Sequence, residues 1–340
     1  MYFYIKILAA SVVVIGLLLA LVWTTNFAGL KERIYVSQIV KLRVSPKRLE
    51  NVKNPSDYGM SYQDVDIMTP DNIRLSAWEI PAPMASDKTI IVNHPLTTTR
   101  YGSTEGLDGV TAEFLPMVKH LHTAGYNVVM YDHRGQGDSD GGIGKNAQGI
   151  EAPVGVGTTE WQDVIGSLNY VKAHADFGDD EIAFLSQCMG ANATFKAWRK
   201  APELFADPQI KALVANQPTV SLNMISRFIK IKTGMDLAEA VETEQEKQFG
   251  FRFADTLKDA QSMTVPVLFA QVRKDQYTYD TETGKNDIEL IYNLTPTEKE
   301  MIWIGEEKGK PFGNEQRFDA YQYFNKYPEQ MLAFLEAKFN

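Results

Sequence analysis

The chain has 340 residues, of which 44% are hydrophobic and 23% charged, and its formal net charge is −9. This is a globular composition, and the length suits one large domain or two small ones. The acidic balance and the lack of a basic tract argue against nucleic acid as a partner, while a single cysteine excludes an intrachain disulfide and any Cys-rich zinc or haem motif.

From Ile7 to Leu30 there is no charged residue, and Ile7–Trp23 is almost wholly apolar, long enough to approach a bilayer span. A transmembrane anchor is therefore expected within residues 1–30. A cleaved signal peptide fits less well, because its apolar region is usually shorter and Asn26-Phe27-Ala28 is a poor small-x-small cleavage site. Lys31, Arg33, Lys41, Arg43, Lys47 and Arg48 follow the apolar run, which by the positive-inside tendency places the rest of the chain on the cytoplasmic side. Residues 31–61, mixed and punctuated by Pro and Asn, read as a stalk, with one globular domain over residues 62–340.

Tyr62–Met68 and Ile73–Ile80 are predicted strands around the turn-forming Pro70-Asp71-Asn72. Short apolar runs then recur at Ile90–Val92, Asn127–Tyr131, Ile182–Leu185, Ala212–Ala215, Val265–Ala270 and Met301–Ile304, a pattern typical of strands buried on both faces. Between them Glu113–Thr123, Thr159–His174, Ala191–Ala201 and Arg317–Phe339 carry apolar residues at three- and four-residue intervals, so they read as helices. The alternation predicts a doubly wound α/β fold with a mostly parallel sheet. One connection, about residues 217–263, is too long for a plain crossover; with the helix-like Leu222–Ile231 and Leu237–Gln248 it reads as a helical lid, the other reading being extra helices at the sheet edge.

Chemistry concentrates at Ser186-Gln187-Cys188-Met189-Gly190, which follows an apolar run and opens a helix. In a nucleophile elbow a strand turns sharply into a helix, and small residues two before and two after the nucleophile let the strained turn close. Ser186 and Gly190 are those neighbours, and Cys188 stands at the nucleophile's place.

The hairpin, the strand order, the loop Asp132-His133-Arg134-Gly135-Gln136-Gly137-Asp138-Ser139 and the elbow together resemble the α/β-hydrolase superfamily, with the likeness running from about Tyr62 to Asn340. The anchor and lid resemble its membrane-anchored branch. The resemblance implies an α/β-hydrolase fold in which Asp132 and Arg134 brace their loop, His133 packs, and Asp275, after the seventh strand, orients a base. Its alternative is a turn carboxylate paired with Arg273 or Lys274. The family's oxyanion loop here reads Asn93-His94-Pro95-Leu96-Thr97; proline has no N–H to donate, so the implied donors are the amides of Met189 and of Leu96 or Thr97.

The sequence departs from the family at the base. His94, His120, His122, His133 and His174 all precede the elbow, whereas the family histidine follows the last strand, where this chain has Gly305-Glu306-Glu307-Lys308. A Ser-His-Asp triad is thereby excluded. A thiol needs less help than a hydroxyl, since free cysteine ionises near pH ~8.5 and helix N-termini favour the thiolate. His94 is the one histidine with a route to Cys188; its alternative is a ring that packs in its own loop. Lys308 is a weaker substitute base.

Three functions follow as expectations: a (thio)ester hydrolase acting through an acyl-cysteine at Cys188, an acyltransferase using the same intermediate, or a catalytically inactive binding protein. Dienelactone hydrolases, similar in the elbow alone, also carry cysteine there. The implied partners are a small or lipid-like acyl substrate and, through the N-terminal helix, a membrane; the chemistry requires no cofactor or metal.

Overall fold

The computed structural model describes Gly16 and residues 29–104, 111–144, 149–306 and 320–339. Its centre is an eight-stranded sheet. The strands are β1 (Gln63–Met68), β2 (Arg74–Ile80), β3 (Lys88–Asn93), β4 (Asn127–Tyr131), β5 (Glu181–Gln187), β6 (Ile210–Asn216), β7 (Val267–Val272) and β8 (Lys299–Ile304). They lie in the order β1-β2-β4-β3-β5-β6-β7-β8. β2 runs antiparallel to β1 and β4, and every other pairing is parallel.

Alternate residues of each central strand feed two separate apolar layers, because successive side chains point to opposite faces. Ile90, Val128, Leu185 and Leu268 meet α2 (Leu115–Thr123) and α9 (Glu329–Lys338) on one side. Ile91, Val129, Phe184 and Phe269 meet α3 (Trp161–Ala173), α4 (Met189–Lys200), α7 (Thr256–Ala260) and α8 (Ile288–Leu294) on the other. This double burial is why the strands read as unbroken apolar runs. The predicted Arg317–Phe339 helix differs: its described part is Tyr323–Lys326 followed by α9, with Pro328 at the N-terminal boundary of α9. Proline is tolerated there and not within a helix.

The connection after β6, the segment read above as a lid and called so below, holds α5 (Ser221–Thr233) and α6 (Ala238–Phe249). Residues 31–61, expected to form a stalk, are built into the folded body instead. α1 (Leu30–Val44) lays Val36, Ile39, Val40 and Val44, an i, i+3, i+4, i+8 stripe, against Ile225, Ile229 and Val241 of the lid, forming a third apolar cluster. Beyond it Arg48 donates to the carbonyls of Gly137, Ser139 and Gly141 at 2.9, 2.6 and 2.8 Å, and Asn51 donates to Asp132 and Asp138. Among the described residues no helix is long and apolar enough to cross a membrane. Apart from Gly16 and residues 29 and 30, the segment expected to be the anchor lies outside them.

Candidate active site

β5 ends at Gln187 and α4 begins at Met189, leaving Cys188 alone at the bend with φ 48° and ψ −107°. A non-glycine residue with positive φ stores strain, and the surroundings hold it in place. The Cys188 N–H donates to Asn216 O at 2.8 Å on β6, and the Cys188 carbonyl accepts from Asn192 N–H at 2.9 Å. Gly190 is required by close approach: a Cβ there would lie 2.7 Å from Asn93 O and 2.8 Å from Asn93 Cβ.

Ser186 does more than stay small. It accepts from Asn93 Nδ2 at 2.8 Å and lies 2.8 Å from Thr194 Oγ1, whose own proton goes to Gly190 O at 2.8 Å. Tyr131 O–H donates to Asn93 Oδ1. A buried chain of hydrogen bonds thus ties β4, β3, β5 and α4 beneath the bend.

Cys188 is 7% exposed and belongs to the apolar layer shared with α2 and α9. Asn192, one turn into α4, donates to Thr219 O and accepts from Thr219 N–H at the start of the lid, and Thr158 Oγ1 donates to Arg252 O at its far end.

Of the expected oxyanion donors, Met189 and Leu96 are brought together and Thr97 is not available. The side chains of Met189 and Leu96 pack with Val154 and Val156 in one cluster, and among the described residues neither amide donates a hydrogen bond. The Thr97 N–H is taken by Gln136 Oε1 at 2.9 Å. Thr97 itself has φ 60°.

His94 does not serve Cys188 in this arrangement. Its Nε2 accepts from His133 N–H at 2.9 Å, so the ring proton resides on Nδ1, which faces Pro95 O at 2.7 Å and Thr98 Oγ1 at 3.0 Å. Both nitrogens are spent on holding two loops together. Burial holds the imidazole well below its ordinary pKa, and neighbouring His133 adds to the effect. The ring is a neutral strut.

Asp275 lies buried in the turn after β7, where the resemblance puts the acid, and its Oδ1 accepts from Tyr277 N–H at 2.8 Å. Arg273 turns away to Glu306 at 2.6 Å and stacks on Trp303, so the alternative pairing with Arg273 does not form. Lys308 lies outside the described residues. Two of the remaining histidines are engaged elsewhere: His120 Nε2 meets Asn325 O at 3.0 Å, and His174 pairs with Glu79.

The loop after β4 is a brace, as its sequence implies. Asp132 accepts from Arg100 N–H at 2.6 Å, from the Arg100 guanidinium at 2.5 Å and from Asp138 N–H at 2.9 Å. Burial pushes its pKa above the ordinary carboxylate value against the pull of Arg100. Arg134 forks between Asp163 and Asp71, and His133 Nδ1 lies 3.1 Å from Asp163.

A strand order with one antiparallel edge hairpin, a strained residue after the fifth strand, a carboxylate after the seventh and a helical excursion after the sixth define one architecture. The chain has the α/β-hydrolase fold. The family model described as serine aminopeptidase, S33, matches residues 105–244 of the chain. An esterase from Pyrococcus furiosus is similar over 88% of this chain and 99% of its own, at 21% identity and a TM-score of 0.63. DcsB, solved with its substrate analogue, covers 82% of this chain and 99% of its own at 15% identity and a TM-score of 0.55. The α/β hydrolase GrgF from Penicillium sp. sh18 has the same coverages, 82% and 99%, at 17% identity and a TM-score of 0.51. No curated protein matches the sequence.

Proposed function

We propose that this α/β-hydrolase is a membrane-anchored hydrolase of activated acyl groups, carboxylic esters or thioesters, acting through an acyl-cysteine at Cys188. The observation that carries the reading is the strained bend itself, φ 48° at a cysteine, since strain of this kind is retained where a side chain must be presented. The Cys188 thiolate adds to the acyl carbonyl carbon, and the amides of Met189 and Leu96 donate to the oxygen that becomes negative. The carbon–oxygen or carbon–sulfur bond then breaks, the leaving group takes up a proton, and water releases the acid and restores the thiol. Asp275 stands at the family's acid position, and in the sequence Lys308 falls near where the family's base would follow the last strand. Met224, Phe228 and Phe251 of the lid, half-buried against its packed face, suit an apolar acyl chain.

The test is labelling of the full chain with an iodoacetamide probe, competition by short acyl thioesters, and intact mass of the acylated protein. One label that disappears in Cys188→Ala, with an acyl adduct at the same site, supports the reading; an unlabelled thiol removes it. Added amine or alcohol acceptors separate hydrolysis from acyl transfer. The anchor is tested separately, by membrane partitioning of the chain with and without residues 1–28 and by protease access to the globular domain, which this reading places in the cytoplasm.

A second reading has its own support. With both His94 nitrogens engaged and the thiol 7% exposed, the fold also suits a pocket that binds without turnover. In that case Cys188→Ala leaves ligand affinity and biological role unchanged.

A further inference from the structure

Arg43, near the C-terminal end of α1, is 5% exposed, and among the described residues no carboxylate pairs with it directly. Its Nε donates to Gln245 Oε1 at 3.3 Å and its guanidinium lies 4.2 Å from the centre of the Phe253 ring, yet among the described residues Nη1 and Nη2 are buried without a hydrogen-bond partner. Buried guanidinium groups are ordinarily paired, and native proteins leave few buried donors unmet.

The two nearest carboxylates are committed elsewhere. Glu160 accepts from Gly155 N–H at 2.6 Å through one oxygen and from Gly157 N–H at 2.7 Å through the other. Glu242 accepts from Phe253 N–H at 3.1 Å and from Arg252 at 2.5 Å. Burial lowers the Arg43 pKa to about 10, against the pull of both glutamates, so at neutral pH the side chain remains a cation.

Its position matters. Val44, the next residue, accepts from Val154 N–H at 3.0 Å, and Val154 and Val156 pack on Met189 beside the bend. Gly157 lies against Asn192 of α4, where an added Cβ would come within 2.6 Å of the asparagine Cβ. Arg43 thus stands at the junction of α1, the lid and the 153–159 segment, whose Val154 and Val156 pack on Met189. The surrounding cluster of Ile39, Val40, Ile229 and Phe253 is apolar.

We propose that Arg43 anchors a subsite for an oxyanion, a carboxylate or phosphate monoester borne on an apolar body, with Nη1 and Nη2 as its paired donors. A planar fork of two N–H groups matches two oxygens of either ion, and Phe253 holds the guanidinium plane in place. Alcohols and other neutral head groups leave the charge unmet and are rejected.

The subsite is independent of catalysis, so it is measured by calorimetric titration on the full chain carrying Cys188→Ala. Hexanoate and hexyl phosphate are the probes, with hexanol as the neutral control. Binding of either anion, absence of hexanol binding, and at least tenfold weaker anion binding in Arg43→Met support the proposal; the tighter of the two anions identifies the head group. Arg43→Met is well suited, because replacing an unpaired buried charge by an apolar side chain of similar length leaves the fold as stable or more stable. Equal anion binding by Arg43→Met, or hexanol binding as well as hexanoate, overturns the proposal. So does a melting temperature several degrees lower in Arg43→Met, which would mean that the charge is already paired within the protein.

Discussion

The Asn93 side-chain amide donates to the Ser186 hydroxyl at 2.8 Å, linking the end of β3 to the residue two before the bend. Asn93 at the same time receives the Tyr131 hydroxyl, a buried phenol whose pKa burial pushes well above its ordinary value. Removing one partner from such a chain leaves another buried polar group unmet. Ser186→Ala is therefore expected to cost about 1–2 kcal/mol, and Asn93→Leu, which strands both the serine and the tyrosine, about 2–4 kcal/mol. Urea titration measures both. A neutral Asn93→Leu would show that the chain adds nothing to the bend.

Strain at Cys188 gives a second prediction. A side chain at φ 48° and ψ −107° costs roughly 1–3 kcal/mol, a penalty that glycine avoids at a smaller entropic cost in the unfolded chain. Cys188→Gly should thus be more stable than Cys188→Ala by about 1 kcal/mol, which is the reverse of the usual order for these residues in helices and strands. Paired thermal melts decide it, and a less stable glycine variant would mean that the bend is relaxed.

The His94 strut makes stability depend on pH. Its native pKa lies well below 6.5, so as pH falls through 6.5 the unfolded chain binds a proton that the native protein refuses. The contribution is complete above that value and declines below it, by about 1.4 kcal/mol per pH unit, until the buried ring itself protonates. His94→Gln should be less stable at neutral pH, and its stability should fall less steeply from pH 6.5 to about pH 5. Cys188 labelling at fixed pH should be the same in both proteins. Slower labelling in His94→Gln would return the imidazole to the chemistry.

How much of this could be read from the sequence varies with the physics involved. Strands β3 to β7 were legible because burial on both faces makes them continuous apolar runs. Their ends were less so: Ser186 and Gln187 extend β5 past Leu185, and Ser186 is buried by hydrogen bonding, which hydropathy does not register. The elbow was legible from Ser186, Cys188 and Gly190 alone. The ring direction of His94 was not legible, because it depends on His133 N–H, a backbone donor from another loop. Thr97 was lost as a donor through the Gln136 side chain in the same way. α1 went unread because its apolar stripe is interleaved with Lys41 and Arg43, and its partner surface comes from the lid, far along the chain.

That docking supplies the last prediction. Val40 and Ile229, 1% and 0% exposed, lie in a cluster distinct from the two layers that flank the sheet. Ile229→Ala is expected to cost about 2–5 kcal/mol locally, and the loss should fall on α1, α5 and α6 together because they share one small core. Native-state hydrogen exchange resolves this. Amides of those three helices should open at lower free energy in Ile229→Ala, while β3 and β5 keep their protection, and Val40→Ala should weaken the same set. Since α1 follows directly on the apolar run at the N-terminus, a cluster that opens as one unit would couple whatever holds that run to the position of the lid. If α5 and α6 loosen while α1 stays protected, the helix is merely resting on the lid, and no such coupling exists.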